Sequence, residues 1–548
     1  MSDTDDKKNG FQRRDVLKLG LVAAGGALAG TGVARAYSSG GSYSGSGGTV
    51  SSPTLTAFVD PLPIPPVAQS VAALSPPPNP AAHQRYNEFL PQKFYDISQR
   101  EGTHQFHRDL PATTIWGFNG MTPGPTFFAR YGEPVLVRFR NNLPASNTGY
   151  GIPSVITHLH NAHNASESDG YTLDYYEVGQ FKDHHYPNVL AGYDAYPPSG
   201  DVREALSTLW YHDHRVDFTA PNVYRGLAGF YFLFDDFDTG DENDPSPRAS
   251  RLPSGEFDVP LIFQDRRFSA DGSAVFDQFD LNGFIGDRFC VNGKVQPFFK
   301  VAARKYRLRL LNGGPSRFYE FFLSNGASFT QISSDGNLLP APISRKSIRL
   351  GVAERADVIL DFSAYPLGTQ ITLDNRLQQS SGRGPGGLSS TGTPLLRFEV
   401  DRPARDFSQV PAKLRELPPV NLNEVVTTRN WTFDNQNGAW TINGRLFDSN
   451  RVDATVKRGT AEIWVLTNPY RDWSHPIHIH FEEFQIISRN GQATPVDEVS
   501  RKDVVRLAPG EQVKIFMRFR DFTGRYLMHC HNNIHEDHGM MLRWDVVA

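Results

Sequence analysis

Gly132–Glu–Pro–Val–Leu–Val–Arg–Phe–Arg–Asn141 follows Phe118–Asn119–Gly120, and the phrase returns twice. Val291–Asn292–Gly293 precedes Arg304–Lys–Tyr–Arg–Leu–Arg–Leu–Leu–Asn312, and Ile442–Asn443–Gly444 precedes Gly459–Thr–Ala–Glu–Ile–Trp–Val–Leu–Thr–Asn468. Each copy reads as a turn, a short connection and a strand that stops at Asn. Val135, Val137 and Phe139 alternate with Leu136, Arg138 and Arg140, and Val513, Ile515, Met517 and Phe519 repeat the pattern near the C-terminus, which is the period of a strand. With Gly, Pro and Asn punctuating the runs, antiparallel β-structure in sandwiches is predicted. The copies stand roughly 150 to 170 residues apart, a domain repeat and not a solenoid period. A chain of 548 residues is too long for one core and suits about three domains. The polar stretches Asp238–Pro247 and Asp401–Pro419 mark the cuts, giving domains 85–240, 241–405 and 406–548.

Two stretches of different character precede them. Residues 1–36 carry Arg13–Arg14–Asp–Val–Leu–Lys18, a Gly- and Ala-rich apolar run from Leu19 to Ala29, and Ala34–Arg–Ala36, the order of a twin-arginine signal peptide. The run is too short and glycine-rich to stay as a membrane helix, and no later segment is apolar enough to be one. The expectation is export by the twin-arginine machinery to the periplasm or cell exterior, and a mature chain that is a monomer outside the membrane. Residues 37–84 are Ser/Gly-rich and then Pro-rich, including Pro61–Leu–Pro–Ile–Pro–Pro66, and read as a linker, with ordered chain starting near Tyr86. Net charge is −4, from 55 Lys+Arg against 59 Asp+Glu, so no basic field invites nucleic acid, and small-molecule chemistry is the default.

The chemistry is densest in Tyr526–Leu–Met–His529–Cys530–His531–Asn–Asn–Ile–His535–Glu–Asp–His–Gly–Met540–Met541. If Arg525 to His531 is a strand, alternation turns Cys530 to one face and His529 and His531 to the other. That gives one side chain to one metal site and two to another. Cys530, His535 and Met540 offer a thiolate, an imidazole and a thioether; one more imidazole completes a His₂Cys site with a weak axial Met, the blue-copper arrangement. Met541 competes with Met540 for the thioether position. The peptides beside Cys530 would join the two sites by a few covalent bonds. Only two cysteines occur, so a metal-bound Cys530 leaves Cys290 without a disulfide partner, and Cys290 is expected as a small buried hydrophobe.

Ten of the seventeen histidines fall in four clusters: His158–Leu–His160, His212–Asp–His214, His475–Pro–Ile–His478–Ile–His480, and His529, His531 and His535. Each contains a His–x–His pair that a strand aims at one face. Two clusters lie in the first domain and two in the last, so a centre at the interface of those domains lets all four converge. The middle domain, without a cluster, is expected to be a spacer. With His475, Cys530, His535 and Met540 closing the blue site, eight histidines remain, enough for a three-copper centre and more than a tetrahedral zinc site takes.

At these motifs the chain resembles the multicopper oxidases, from about Tyr86 to Ala548. Thr157–His–Leu–His160, Ser168–Asp–Gly170, Leu209–Trp–Tyr–His–Asp–His214, Tyr224–Arg–Gly–Leu–Ala–Gly229, Trp473–Ser–His–Pro–Ile–His–Ile–His480 and His535–Glu–Asp–His–Gly–Met–Met541 look most like the bilirubin oxidase and spore-coat laccase branch. The resemblance implies an all-β chain of three cupredoxin-like Greek-key β-sandwich domains holding four copper ions. It assigns the type 1 copper to His475, Cys530, His535 and Met540, and the type 2 copper to His158 and His478. One type 3 copper falls to His160, His212 and His531 and the other to His214, His480 and His529, the three-copper centre lying between the first and third domains. It also implies acid or proton-relay roles for Asp169 and Glu536, and contact with substrate, or relay of its electrons, at Trp473. Asp213, between two ligands, is a further candidate for orienting one. His163, His184, His185 and His538 fall outside the ligand count and are expected at the surface or behind the ligands. Asn161 departs from the family, which usually has Gly there.

The implied activity couples four one-electron oxidations of a phenol, aromatic amine or tetrapyrrole to reduction of O₂ to two waters. Its rivals are a metallo-oxidase for Mn²⁺, Fe²⁺ or Cu⁺, with Cu⁺ disfavoured by a total of six methionines, and a copper-free envelope scaffold.

Overall fold

A computed structural model describes residues 51–147 and 149–548; the twin-arginine segment 1–36 and the first part of the linker lie outside the described residues. Among these residues six sheets form three pairs, each drawn from one continuous stretch. Two four-stranded sheets come from 93–234, a seven- and a five-stranded sheet from 258–403, and a six- and a five-stranded sheet from 425–547. An apolar core fills each pair: Ile97, Val137, Leu159 and Tyr231 in the first, Leu261, Leu308, Val358 and Leu396 in the second, Trp464, Ile477, Ile515 and Met528 in the third. These are the three sandwiches the repeat predicts. They are not purely antiparallel, however, because each sheet contains one parallel strand pair. Period two records that a strand has two unlike faces and carries no information on its direction.

The repeated phrase builds the same corner three times. Strand Lys93–His104 pairs antiparallel with Thr113–Phe118 and parallel with Val135–Asn142. Asp258–Arg266 treats Arg288–Val291 and Lys305–Asn312 in the same way, as Val425–Gln436 does Ala439–Ile442 and Thr460–Thr467. At the corner Asn119, Asn292 and Asn443 have φ of 56°, 48° and 52°, and the glycines that follow have 73°, 79° and 71°. Asn–Gly adopts such a left-handed pair at least cost. Each Asn side chain also accepts an N–H from the first strand, from Ser98 (2.9 Å), Ile262 (2.9 Å) and Thr432 (2.7 Å). The strand-closing Asn141, Asn312 and Asn468 each accept the N–H two residues on and donate to loop carbonyls, which ends the strand in a turn.

The proline-rich stretch departs from the expected linker. From residue 51 it lies along the first two sandwiches: Leu62 N–H donates to the Phe298 carbonyl (2.7 Å), Ala68 N–H to Thr126 (2.8 Å) and Val71 N–H to Phe94 (2.8 Å). Leu62, Ala68 and Leu74 are buried, so packed chain begins well before Tyr86. Proline runs extended and leaves no spare N–H, which suits a segment laid on a sheet edge. Among the described residues no helix is long and apolar enough to cross a membrane.

Candidate metal centre

Two buried donor sets flank strand Gly524–Cys530. In the first, Cys530 Sγ stands 3.6 Å from His475 Nδ1 and 3.7 Å from His535 Nδ1, with the two nitrogens 3.2 Å apart. Met540 is fully buried in the same core, its N–H donating to the His535 carbonyl (2.9 Å) and its carbonyl accepting from Cys530 N–H (3.0 Å). Met541 packs instead with Tyr171, Val216 and Leu527, so Met540 is the thioether in the surroundings of Cys530. The neighbouring strand His475–Ile479 runs antiparallel, with Ile477 opposite Cys530 and His478 opposite His529. One strand pair therefore carries donors of both sets.

The second set is the remaining eight histidines, all buried. Rings from the first and last sandwiches interleave: His158 stacks on His480 with centroids 3.9 Å apart, and His160 on His478 at 3.7 Å. Ligand atoms of His214, His480 and His529 lie within 4.8 Å of one another, as do those of His158, His478 and His480, and of His158, His160 and His212. The His531 ring centre is 5.2 Å from that of His160 and 5.4 Å from that of His212. All four sequence clusters thus meet in one place.

Six of these eight rings are anchored through one nitrogen. His158, His212 and His478 donate from Nδ1 to the backbone carbonyls of Asp169, Asp213 and Asp503. His480 Nδ1 donates to Asp169 Oδ2 (2.8 Å), His160 Nε2 to Asp503 Oδ1 (2.9 Å), and His529 Nδ1 to the Cys530 carbonyl (3.2 Å), with Glu536 Oε2 3.1 Å away. The free nitrogens crowd together: His158 and His478 face through Nε2 at 3.4 Å, and His529 Nε2 is 3.2 Å from that of His214 and 3.1 Å from that of His480. His160 Nδ1, His212 Nε2 and both nitrogens of His531 have no hydrogen-bond partner. Burial pushes His158, His160, His478 and His480 well below the usual imidazole pKa, so these four rings are neutral and a proton fixed on the outer nitrogen of each leaves a lone pair facing in. Orphaned, converging imidazole lone pairs with outer-nitrogen anchors are the hallmark of a metal-binding ring set. The donors, nitrogen in one set and sulfur with nitrogen in the other, fit copper and do not fit oxygen-seeking calcium or magnesium.

Asp169 is buried at the end of the short helix Ser166–Asp169 and touches two rings, His158 through its carbonyl and His480 through its carboxylate. Gly170 has φ of 90°, and a Cβ there would come within 2.4 Å of the Thr157 carbonyl oxygen and 2.6 Å of His158 Cα, so only glycine lets Asp169 lie against the His158 strand. Burial raises the Asp169 pKa well above the carboxylate range, and its Oδ1 has no partner. Glu536 stands 3.7 Å from His214 Nε2 as well as near His529. Burial alone would raise its pKa, but the imidazoles of His529 and His214 hold it below the usual value. Asp213 is a correction: its carbonyl, not its carboxylate, holds His212, while the carboxylate accepts from Ile156 N–H and Asn222 Nδ2 (both 3.0 Å).

Trp473 is half-buried and meets Trp440 edge-on at 5.3 Å, and Trp440 stacks on His535 at 3.8 Å. Trp440 thus stands between Trp473 and the sulfur set. His163, His184 and His185 are buried and stand outside both donor sets; the latter two bond Ser168 and so buttress the Asp169 helix. Asn161 keeps a φ of 75° and donates from Nδ2 to Glu483 Oε1 (2.8 Å), which also accepts from Asn337. The left-handed backbone accounts for a glycine preference, and Asn tolerates it while tying all three sandwiches together. Cys290 is buried among Phe106, Ile115 and Phe268.

Asp503, Arg355, Trp440 and Asn282 are important here and carry no motif. Asp503 holds His160 and His478 and is itself gripped by both guanidinium nitrogens of the buried Arg355, at 2.9 and 2.5 Å. Asn282 accepts from His535 Nε2 through its carbonyl (3.1 Å). Arg355 and Asn282 belong to the middle sandwich, which therefore positions both donor sets and is not a spacer. A charged triplet, Arg501–Lys502–Asp503, leading into the apolar Val504–Val505 was the available signal.

Family models described as multicopper oxidase match residues 95–176 and 419–548. The chain is 37% identical to the bilirubin oxidase of Albifimbria verrucaria over 91% of this chain and 82% of that protein. It is 34% identical to the laccase of Bacillus subtilis, over 90% and 99% respectively. Among solved structures, the laccase from Pediococcus acidilactici matches with a TM-score of 0.73 at 25% identity, covering 90% of this chain and 95% of that one.

Proposed function

The chain belongs to the multicopper oxidase family, and from that membership and the two donor sets we propose that it oxidises a phenol, aromatic amine or tetrapyrrole one electron at a time at the Cys530 set and reduces O₂ to two waters at the histidine set. Four electrons and four protons join each O₂, and four substrate molecules each give up one electron. His475, Cys530, His535 and Met540 would hold the type 1 copper, and His158 and His478 the type 2 copper. His160, His212 and His531 would hold one type 3 copper, and His214, His480 and His529 the other. When bound, copper supplies one-electron redox chemistry at the sulfur set and multi-electron delivery to O₂ at the histidine set.

The observation that carries this reading is that Cys530 sits among His475, His535 and Met540 while its own chain neighbour His529 sits among the other histidines. Flanking peptide bonds therefore connect the two sets covalently. The two carboxylates take different parts because their surroundings push their pKa values apart. Asp169, kept protonated by burial, can give up a proton at Oδ1, the oxygen not engaged by His480. Glu536, held below the usual carboxylate range, stands 3.1 Å from His529 Nδ1, whose proton goes to the Cys530 carbonyl (3.2 Å), and this leaves the Nε2 lone pair directed inward. Trp440 and Trp473 form an aromatic link from His535 toward the surface, which supports substrate oxidation near Trp473. The twin-arginine motif, outside the described residues, supports export before use.

Oxygen uptake by the copper-loaded protein tests the proposal with a panel of bilirubin, a dimethoxyphenol, Mn²⁺ and Cu⁺. Uptake with the organic substrates, without peroxide release, is expected; uptake with metal ions alone would overturn the substrate assignment.

A further inference from the structure

In the middle sandwich, strands Gln370–Leu377 and Leu388–Pro403 pair antiparallel, and the loop joining them, 378–387, reaches the sulfur site. The Arg383 carbonyl accepts the N–H of Ser474, next to His475 (2.8 Å), and the Gly382 carbonyl accepts from Asn532 Nδ2 (3.2 Å), which lies 3.1 Å from His535 Nε2. The Arg383 guanidinium stacks over Trp473, 4.7 Å from the ring centre. The same loop walls a cleft of about 600 Å³, the volume of a small-molecule site.

The cleft is polar in one sense only. Gln378, Ser380, Ser389, Thr391 and Thr393 line it together with Arg376, and no carboxylate does. Arg376 is half-buried, donates from Nε to the Ser389 carbonyl (2.9 Å) and lies over Phe322. Among the described residues it makes no ion pair. The other arginine of the wall, Arg317, is already held by Asp265 at 2.9 Å. A guanidinium partly withdrawn from water, ringed by hydroxyls and amides and held in no ion pair, with Asp374 on the same strand face but outside the cleft lining, is a site for a planar or tetrahedral anion. A neutral phenol gains little from it.

We propose that this cleft holds the anionic group, a carboxylate or sulfonate, of an aromatic reductant whose ring is oxidised at the sulfur site. The inference deepens the oxidase reading and rests on it. Binding can be separated from turnover by measuring affinities calorimetrically for trimethoxybenzoate and its neutral isostere trimethoxybenzamide on the copper-loaded full chain, neither ligand having a phenol to oxidise. The acid is expected to bind roughly 3- to 10-fold more tightly at low salt, with the preference shrinking as salt is raised. Arg376→Gln removes the cation and Ser380→Asp adds an opposing charge at an exposed position; each should abolish the preference. Equal affinities in the unaltered protein, or a preference that survives both substitutions, would overturn the proposal. Oxidation of a dimethoxyphenol is followed in parallel. Oxidation without an acid preference removes the cleft alone, whereas an acid preference with no phenol oxidation keeps the anion site and removes the oxidase reading.

Discussion

Arg355→Met separates a ligand-orienting ion pair from a merely structural one. Arg355 is fully buried and meets Asp503 through two nitrogens, at 2.9 and 2.5 Å. Removing one partner of a buried pair strands the other and costs about 3–5 kcal/mol. Burial already pushes Asp503 up to about 7, with Arg355 the main group opposing it; without the guanidinium the carboxyl stays protonated at neutral pH. Its O–H then donates to His160 Nε2, and the imidazole proton moves to Nδ1, the nitrogen facing the cluster. One inward lone pair is lost, and loss of such an orienting partner lowers metal affinity about 10–100-fold. Arg309→Met is the control, since Arg309 is equally buried and bidentate on Asp258 (2.7 and 2.6 Å) and bonds no imidazole. Thermal unfolding of the two variants should show comparable losses. Copper analysis against a competing chelator should show depletion of the histidine set in Arg355→Met only, with the blue colour of the sulfur set retained. Full copper retention in Arg355→Met, matching the control, would refute the reasoning.

At Asn161, φ of 75° and the bond to Glu483 act in opposite directions on substitution. Asn161→Gly should cost about 1–2 kcal/mol for the lost bond to a buried carboxylate, and Asn161→Ala about 1 kcal/mol more for left-handed strain; denaturant melts that rank the two the other way would contradict this. Glu498 has its pKa lowered to about 2 from 4.5: burial opposes the shift, but Arg506 and Arg489 outweigh it. A depressed carboxylate contributes stability that is complete above its unfolded pKa and drains away as pH falls through its folded one, here at most about 3 kcal/mol. The stability gap between the unaltered protein and Glu498→Gln should therefore close between pH 5 and about pH 2, and a gap independent of pH would rule the assignment out. Asp169→Asn should lower kcat by roughly 100-fold with KM for the reducing substrate little changed; an unaltered kcat would mean that Asp169 supplies no proton.

What could be read from the chain alone follows the chemistry of each residue. Cys530, Met540 and the His–x–His pairs are donor types with local spacing, so a strand places them without knowledge of the rest. The Asn–Gly corners were equally legible, because left-handed backbone selects those two residues. Strand direction was hidden, since alternation is the same either way, and the outer-nitrogen anchors were hidden because four of them are backbone carbonyls, which any residue offers. Arg355, Asp503 and Asn282 act across sandwiches, where sequence separation gives no clue. The strap at residues 51–84 misled through composition: its prolines suggest a free linker, while Leu62, Ala68 and Leu74 between them supply the burial.

Copper content, visible absorption and O₂ uptake of Cys530→Ser beside the unaltered protein give the most direct test of the account. The unaltered chain should take up four coppers, show an intense blue band and consume O₂ with a phenol. The variant should keep the three held by histidines, lose the band and stop consuming O₂. A variant that keeps its colour and its turnover would contradict the claim that one sulfur joins substrate oxidation to oxygen reduction.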